Sequence, residues 1–170
     1  MIILDEKIFL LLFKQMKYSR IAYLMRFVAI YASKIFLVTY IVLMLWLVMN
    51  RSIVLLPYLM GPALSLLLVD FLRRFINRKR PFESLGFKSL IEHEVGCSFP
   101  SKHGTSAFAI AFAMMWVHPL IGYVGIILAL LTGLSRIMVG VHYPSDIIGG
   151  LLIAIVVSLL SYSALFVFLL

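Results

Sequence analysis

Three short polar stretches in an otherwise apolar chain hold the residue types that handle phosphate. They are residues 73–81 (RRFINRKRP), 100–103 (PSKH) and 135–146 (SRIMVGVHYPSD). Charged groups are costly beside a bilayer, so a membrane chain that gathers them invites a functional reading. Arg73 and Arg80 stand seven residues apart, nearly two helical turns, which on one helix points both the same way. Two guanidiniums on one face make a fork for phosphate oxygens. Pro81 disfavours helical geometry at Arg80, so the helix is expected to end there. Asp70, three residues before Arg73, is placed to pair with it and orient it. Taken alone, the cluster reads equally as a juxtamembrane patch that binds anionic lipid.

The second stretch directly precedes a long uncharged segment. Pro100 and Ser101 are helix-starting residues. A helix N-terminus presents free N–H groups and positive dipole to an anion. Ser101 adds a hydroxyl, Lys102 a charge, and His103 a group able to protonate a leaving oxygen. In the third stretch, Ser135 and Arg136 end an apolar segment, and His142 follows. Pro144 suits the first turn of a new helix, which puts Asp146 four residues after His142. From there the carboxylate can hold one imidazole nitrogen and leave the other as a nucleophile. It would also stabilise positive charge on the ring during attack. Each stretch has a plainer reading in isolation: a capped helix with an incidental histidine, and a loop histidine paired with a capping aspartate.

The elements that must position these residues are membrane helices. Of 170 residues, 64% are hydrophobic, and mean hydropathy is +1.10. Soluble domains hold roughly 45–50% apolar residues, so the composition implies an integral membrane protein built as one domain. No cleavable signal is evident at the N-terminus. Residues 1–31 carry too many charges for a span and read as interfacial amphipathic helices, with Leu10, Leu11 and Phe13 toward lipid and Lys14 and Lys17 toward water. Spans are expected over 33–50 and 52–77, the second kinked at Pro57 and Pro62. Residues 104–135 carry no formal charge and are too long for one crossing. His118-Pro119 divides them into a third and a fourth span. Residues 147–170 make the fifth. The fold class is therefore all-α, a polytopic transmembrane bundle of five spans plus the interfacial segment, with its core over 33–168.

Two crossings separate the loop holding the first two stretches from the loop holding the third. All three therefore lie on one face of the membrane. Residues 82–99 include Phe82, Leu85, Phe87, Leu90 and Ile91, which suit either an interfacial lid or an ordinary connector. Glu92, His93 and Glu94 alternate in that loop and read better as solvated side chains than as metal ligands. The single cysteine, Cys97, excludes an internal disulfide and reads as a small loop hydrophobe. The formal charge of +8 suits anionic lipid headgroups or a phosphorylated substrate. No soluble basic module remains for nucleic acid.

Taken together, Arg73…Arg80-Pro81, Pro100-Ser101-Lys102-His103 and Ser135-Arg136…His142…Asp146 resemble the three motifs of the type 2 phosphatidic acid phosphatase superfamily. The resemblance covers about residues 33–168 and rests on nine polar positions at fixed spacing. Two positions depart from the common pattern: Arg73 stands where lysine is frequent, and Lys102 where glycine is. The resemblance implies that His142 attacks phosphorus and forms a phosphohistidine, that Asp146 orients it, and that His103 protonates the leaving group and then activates water. It implies that Arg73, Arg80, Ser101, Arg136 and the amide of Lys102 bind the phosphoryl oxygens, without a metal or other cofactor. The Lys102 side chain is available for a second phosphate. A lipid phosphate or pyrophosphate substrate follows, undecaprenyl pyrophosphate first by likeness to the short bacterial polyprenyl-pyrophosphatases. Phosphatidylglycerophosphate, phosphatidic acid and lipid A 1-phosphate are the alternatives. A non-catalytic lipid-phosphate binding or transport protein would be expected to have lost His103, His142 or Asp146, and all three are present.

Orientation sets two arguments against each other. Lys7, Lys14, Lys17, Arg20, Arg26 and Lys34, with seven more basic residues between 73 and 103, lie on the site's face, against Arg51 alone opposite. The positive-inside rule places that face in the cytoplasm. The resemblance implies the extracytoplasmic face of a bacterial inner membrane, which is the expectation taken forward.

Overall fold

A computed structural model describes residues 2–17, 19–93 and 95–169. Glu94 lies outside them, as does the Lys17 side chain expected to face water. Among the described residues seven α-helices form a bundle: α1 (Ile2–Lys14), α2 (Ser19–Met49), α3 (Leu55–Phe75), α4 (Pro81–Ser84), α5 (Lys102–Val117), α6 (Pro119–Met138) and α7 (Pro144–Leu169), with a 3₁₀ turn over Gln15–Lys17. The described residues contain no strand. Among the described residues four helices are long and apolar enough to cross a membrane, over Arg20–Met49, Leu55–Phe75, Pro119–Met138 and Pro144–Leu165.

The expected third span, α5, has 16 residues, shorter than the ~20 that span hydrocarbon unaided. It stands in the middle, packed against α3, α6 and α7. Ala107, Ala109, Ala111 and Ala113 are all buried, which lets neighbouring backbones approach closely. Gly150 of α7 shows how closely: a Cβ there would sit 2.6 Å from Thr105 Oγ1. The division at His118-Pro119 is where expected, with Pro119 opening α6. Pro62 lies inside α3, and Pro57 falls in its first turns.

Two boundaries differ from expectation. α2 runs unbroken for 31 residues, about 46 Å at 1.5 Å per residue, so residues 19–31 belong to the first spanning helix. Their charges sit on the part that exceeds a ~30 Å hydrocarbon core, where water reaches them. α1 does not lie with its apolar side wholly in lipid either. Leu10 and Leu11 are exposed, but Phe9 is fully buried, and both Phe9 and Phe13 stack within 6 Å of Phe87. α1 therefore closes over one end of the bundle. The other correction is α3, which stops at Phe75 rather than near Arg80. Arg80 instead caps α4 with an extended backbone, and Pro81 takes the first helical position.

The expected common end is found, although four rather than five helices are long and apolar enough to cross among the described residues. The C-termini of α3 and α6 and the N-termini of α5 and α7 meet at one end, joined by Arg73 to Pro100 and by Ser101 to Asp146. Residues 82–99 pack down on that end: Phe82, Leu90 and Ile91 lie against Ala29, Val139 and Val141. The Leu90 N–H donates to the Val139 carbonyl at 3.0 Å.

Candidate active site

His142 lies in the turn between α6 and α7. Gly140, at φ +91°, makes the reversal possible where a side chain would be strained. The imidazole is 1% exposed. Its Nδ1 lies 3.3 Å from Asp146 Oδ2, the pairing expected from the four-residue spacing. Its Nε2 lies 3.4 Å from an Arg80 Nη1 that also donates to the Val141 carbonyl at 3.2 Å. An Nδ1–H donated to Asp146 leaves the lone pair on Nε2, the nitrogen that faces the arginine. Burial pushes the His142 pKa down to about 4, with Arg80 and Arg73 adding to that and Asp146 opposing it. The ring is therefore neutral at physiological pH. Arg80 is itself pushed below its usual range by burial and by Arg73.

Asp146 is fully buried and held from several sides. Oδ2 accepts from the Tyr143 N–H at 2.8 Å and from Ser98 Oγ–H, and Oδ1 accepts from Arg78 Nη1 at 2.9 Å. Ser98 Oγ also lies 3.4 Å from His142 Nδ1.

Arg80 and Arg136 are each 4% exposed. Arg136 Nη2 donates to the Ala29 carbonyl at 2.7 Å, which ties α6 to α2. The Nε atoms of both arginines are buried with no hydrogen-bond partner among the described residues. Orphaned cationic donors are rare in folded proteins and suit an anionic ligand. Arg73 is spent differently: its Nε and Nη2 both donate to the Pro100 carbonyl, at 2.9 and 2.7 Å. That contact fixes the entrance to α5. Ser101 caps α5, its Oγ accepting from the Gly104 N–H at 3.2 Å.

The expected Asp70–Arg73 pair is not formed. Asp70 Oδ1 pairs with Lys102 Nζ at 2.5 Å instead, because Arg73 turns toward the Pro100 carbonyl. Lys102 is half-exposed and its ammonium is occupied by that contact. His103 lines a cavity of about 310 Å³ with Ser33, Phe36, Leu37, Ser106 and Ile110. The other walls of this cavity mix apolar side chains with the hydroxyls of Ser33, Ser106 and Thr132.

Three contributors were invisible in the motif spacing. Ser98 precedes the second stretch by two residues, within a loop with no distinguishing pattern. Arg78 is one of several basic residues in its run. His93, set aside as solvated, has its ring 6.3 Å from that of His103 and 6.4 Å from that of His142. It therefore stands beside both histidines. Its loop holds no group of three or more His, Cys, Asp or Glu arranged as metal ligands among the described residues.

With this geometry in view, comparison with known proteins is decisive for the family. The sequence profile described as the PAP2 superfamily matches residues 54–168. The chain belongs to the PAP2 superfamily. It is 46% identical over 83 residues to the undecaprenyl-diphosphatase BcrC of Bacillus subtilis, covering 49% of this chain and 43% of that one. It is 40% identical over 92 residues to a lipid A 1-phosphatase of Rhizobium johnstonii, covering 50% and 37%. The chain thus spans less than half the length of these relatives. The crystal structure of Aquifex aeolicus LpxE superposes with a TM-score of 0.76 at 26% identity, over 94% of this chain and 95% of that one. The PAP2 match begins at α3, so α1 and α2 lie outside it.

Proposed function

We propose that this integral membrane protein hydrolyses a lipid phosphate ester or pyrophosphate through a phosphohistidine on His142. The observation that carries this reading is the buried imidazole held by Asp146 at Nδ1 with Nε2 turned to a guanidinium. Nε2 attacks phosphorus while the bond to the leaving oxygen breaks, and His103, protonated as the phosphate dianion binds beside it, gives that oxygen its proton. His103 then takes a proton from water, whose oxygen attacks the phosphohistidine and releases phosphate as the P–N bond breaks. The Nε donors of Arg80 and Arg136, the first-turn amide of Lys102 and the Ser101 hydroxyl meet the equatorial oxygens, where charge accumulates. Arg73 serves indirectly by fixing Pro100 and hence the start of α5. No step calls for a metal or other cofactor.

Undecaprenyl pyrophosphate is the first substrate, supported by the likeness to BcrC. Lipid A 1-phosphate is the second reading, supported by the likeness to the Rhizobium enzyme. Purified protein assayed for phosphate release against undecaprenyl pyrophosphate, lipid A, phosphatidylglycerophosphate and phosphatidic acid separates them. The expected outcome is the highest kcat/KM on undecaprenyl pyrophosphate; preference for a monophosphate lipid reverses the order. The site faces the extracytoplasmic side of a bacterial inner membrane in this reading. Val95 is 77% exposed in the loop over the site. A Val95→Cys, Cys97→Ser chain should therefore react with an impermeant maleimide in intact cells, and protection until lysis would place the site inside.

A further inference from the structure

The grip on Asp146 extends beyond the three motifs. Arg78 Nη1 donates to Asp146 Oδ1 at 2.9 Å and to Ser145 Oγ at 2.6 Å. Its Nη2 donates to Asp5 Oδ2 at 2.5 Å. The guanidinium lies 4.1 Å from the centroid of the Tyr143 ring. The Arg78 carbonyl accepts from the Ser98 N–H at 2.7 Å, and Ser98 in turn donates to the other oxygen of Asp146. One residue thus fixes both carboxylate oxygens, directly at Oδ1 and through Ser98 at Oδ2.

Asp5 anchors the outer end. It is 7% exposed although it lies on α1, far from the motifs in sequence. Its Oδ1 accepts from the Ser145 N–H at 3.0 Å and its Oδ2 from Ser145 Oγ at 2.5 Å. It therefore caps the first turn of α7, the turn that carries Asp146, from another helix. Burial of Phe9 against Phe13, Phe87 and Tyr143 holds α1 in the register that this needs.

We propose that Arg78 and Asp5 are positioning residues for the phosphoryl-transfer step, forming a clasp that runs from α1 through Arg78 to Asp146 and fixes the His142 ring. The proposal rests on His142 being the nucleophile. Arg78 acts on the Nδ1 side of that ring, through the carboxylate, whereas Arg80 stands on the Nε2 side where phosphorus must approach. Loss of the clasp should therefore lower kcat and leave KM in place. Asp146 without Arg78 keeps its other donors but can rotate, and small misplacement of a reacting group costs on the order of 10²-fold. The planar fork is what bridges Asp5, Ser145 and Asp146 at once, which a lysine ammonium on a single stem cannot do.

The test uses full-length protein in detergent with undecaprenyl pyrophosphate, or whichever lipid phosphate the panel selects. Wild type is compared with Arg78→Gln, Arg78→Lys, Asp5→Asn, the Arg78→Gln/Asp5→Asn double variant and His142→Ala, with thermal shift and gel filtration reporting folding. Expected are a kcat decrease of roughly 10- to 100-fold for Arg78→Gln at unchanged KM and a smaller decrease for Asp5→Asn. Arg78→Lys should recover only part of the loss. The double variant should be slower than Arg78→Gln by much less than the Asp5→Asn effect alone, because Asp5 acts in part through Arg78 and in part on Ser145. Wild-type kcat in Arg78→Gln and Asp5→Asn beside an inactive His142→Ala overturns the clasp while leaving the nucleophile intact. Multiplying effects in the double variant, or a loss confined to KM, overturns it too. Full activity in His142→Ala removes the nucleophile itself, and the clasp with it.

Discussion

The two ends of this bundle bury different things. At the end where α3, α5, α6 and α7 converge, Arg80, Ser98, Ser101, Arg136, His142 and Asp146 are all under 5% exposed. At the other end, beneath the turn between α2 and α3, Leu47, Tyr58 and Ala113 form a core with Val54, Leu55 and Val117 around them. Polar atoms there are satisfied reciprocally: Tyr40 Oη–H donates to the Tyr58 carbonyl at 3.1 Å, and Tyr58 Oη–H to the Tyr40 carbonyl at 3.0 Å, with the rings stacked 4.7 Å apart. The site end instead leaves two buried arginine nitrogens without partners. The far end bonds its paired tyrosines internally and leaves one neutral hydroxyl, Ser158 Oγ, unpartnered among the described residues; the site end keeps cationic donors in reserve at a cost to stability. Substitutions should separate along that line, with activity lost at one end and stability at the other.

The largest effect is expected from His142→Ala, which should remove activity by about 10⁴-fold or more while leaving the unfolding temperature nearly unchanged. A large fall in thermal stability without loss of turnover would break the comparison. Arg80→Ala and Arg136→Ala should each lower kcat by roughly 10²- to 10³-fold, the usual loss when a donor to a developing charge is removed. Steady-state kinetics on folded protein checks this, and Arg136→Ala should also lose some stability because Arg136 joins α6 to α2. Tyr58→Ala should do the reverse, lowering stability by about 3 kcal/mol with kcat retained in the surviving fold. Denaturation in mixed micelles, read beside the assay, sharpens the contrast.

The smallest effect concerns pH. The His142 pKa lies near 4 in the fold against 6.5 when free, so the fold prefers the neutral ring. Its contribution to stability is intact above pH 6.5 and is lost progressively as pH falls toward 4. Wild type should therefore lose more stability than His142→Ala across that window. Histidine hydrogen–deuterium exchange should place the His142 midpoint well below that of a free imidazole.

The motif residues were legible because their spacing survives the change from chain to fold. His142 and Asp146 sit one helical turn apart, and Pro144 makes that turn begin where it must. The common face followed from counting crossings, since hydrocarbon thickness constrains every apolar segment alike. The geometry around Arg73 was less legible. The basic run shows no stop signal at Phe75, yet α3 ends there, and Arg73 and Arg80 come from different elements. Local spacing favoured Asp70 for Arg73, but the Pro100 carbonyl, 27 residues on, took both of its nitrogens. Ser98, His93 and Asp5 had no periodic signature because tertiary packing alone brings them in. The span boundary near residue 33 was misplaced because charge density argued for an interfacial segment, whereas a helix longer than the bilayer can carry the same charges in water.

The bonds from Asp5 to Ser145 join residues separated by 140 positions. During synthesis the first helix can rest on Phe87 and pair with Arg78, but it lacks its partner at Ser145 until α7 has been delivered to the membrane. On the proposed chemistry, a nascent chain stays inactive until α7 brings in Asp146. On that reading turnover begins when α1 meets α7, so the onset of activity in a cell-free translation should report completed assembly rather than completed insertion of the first spans.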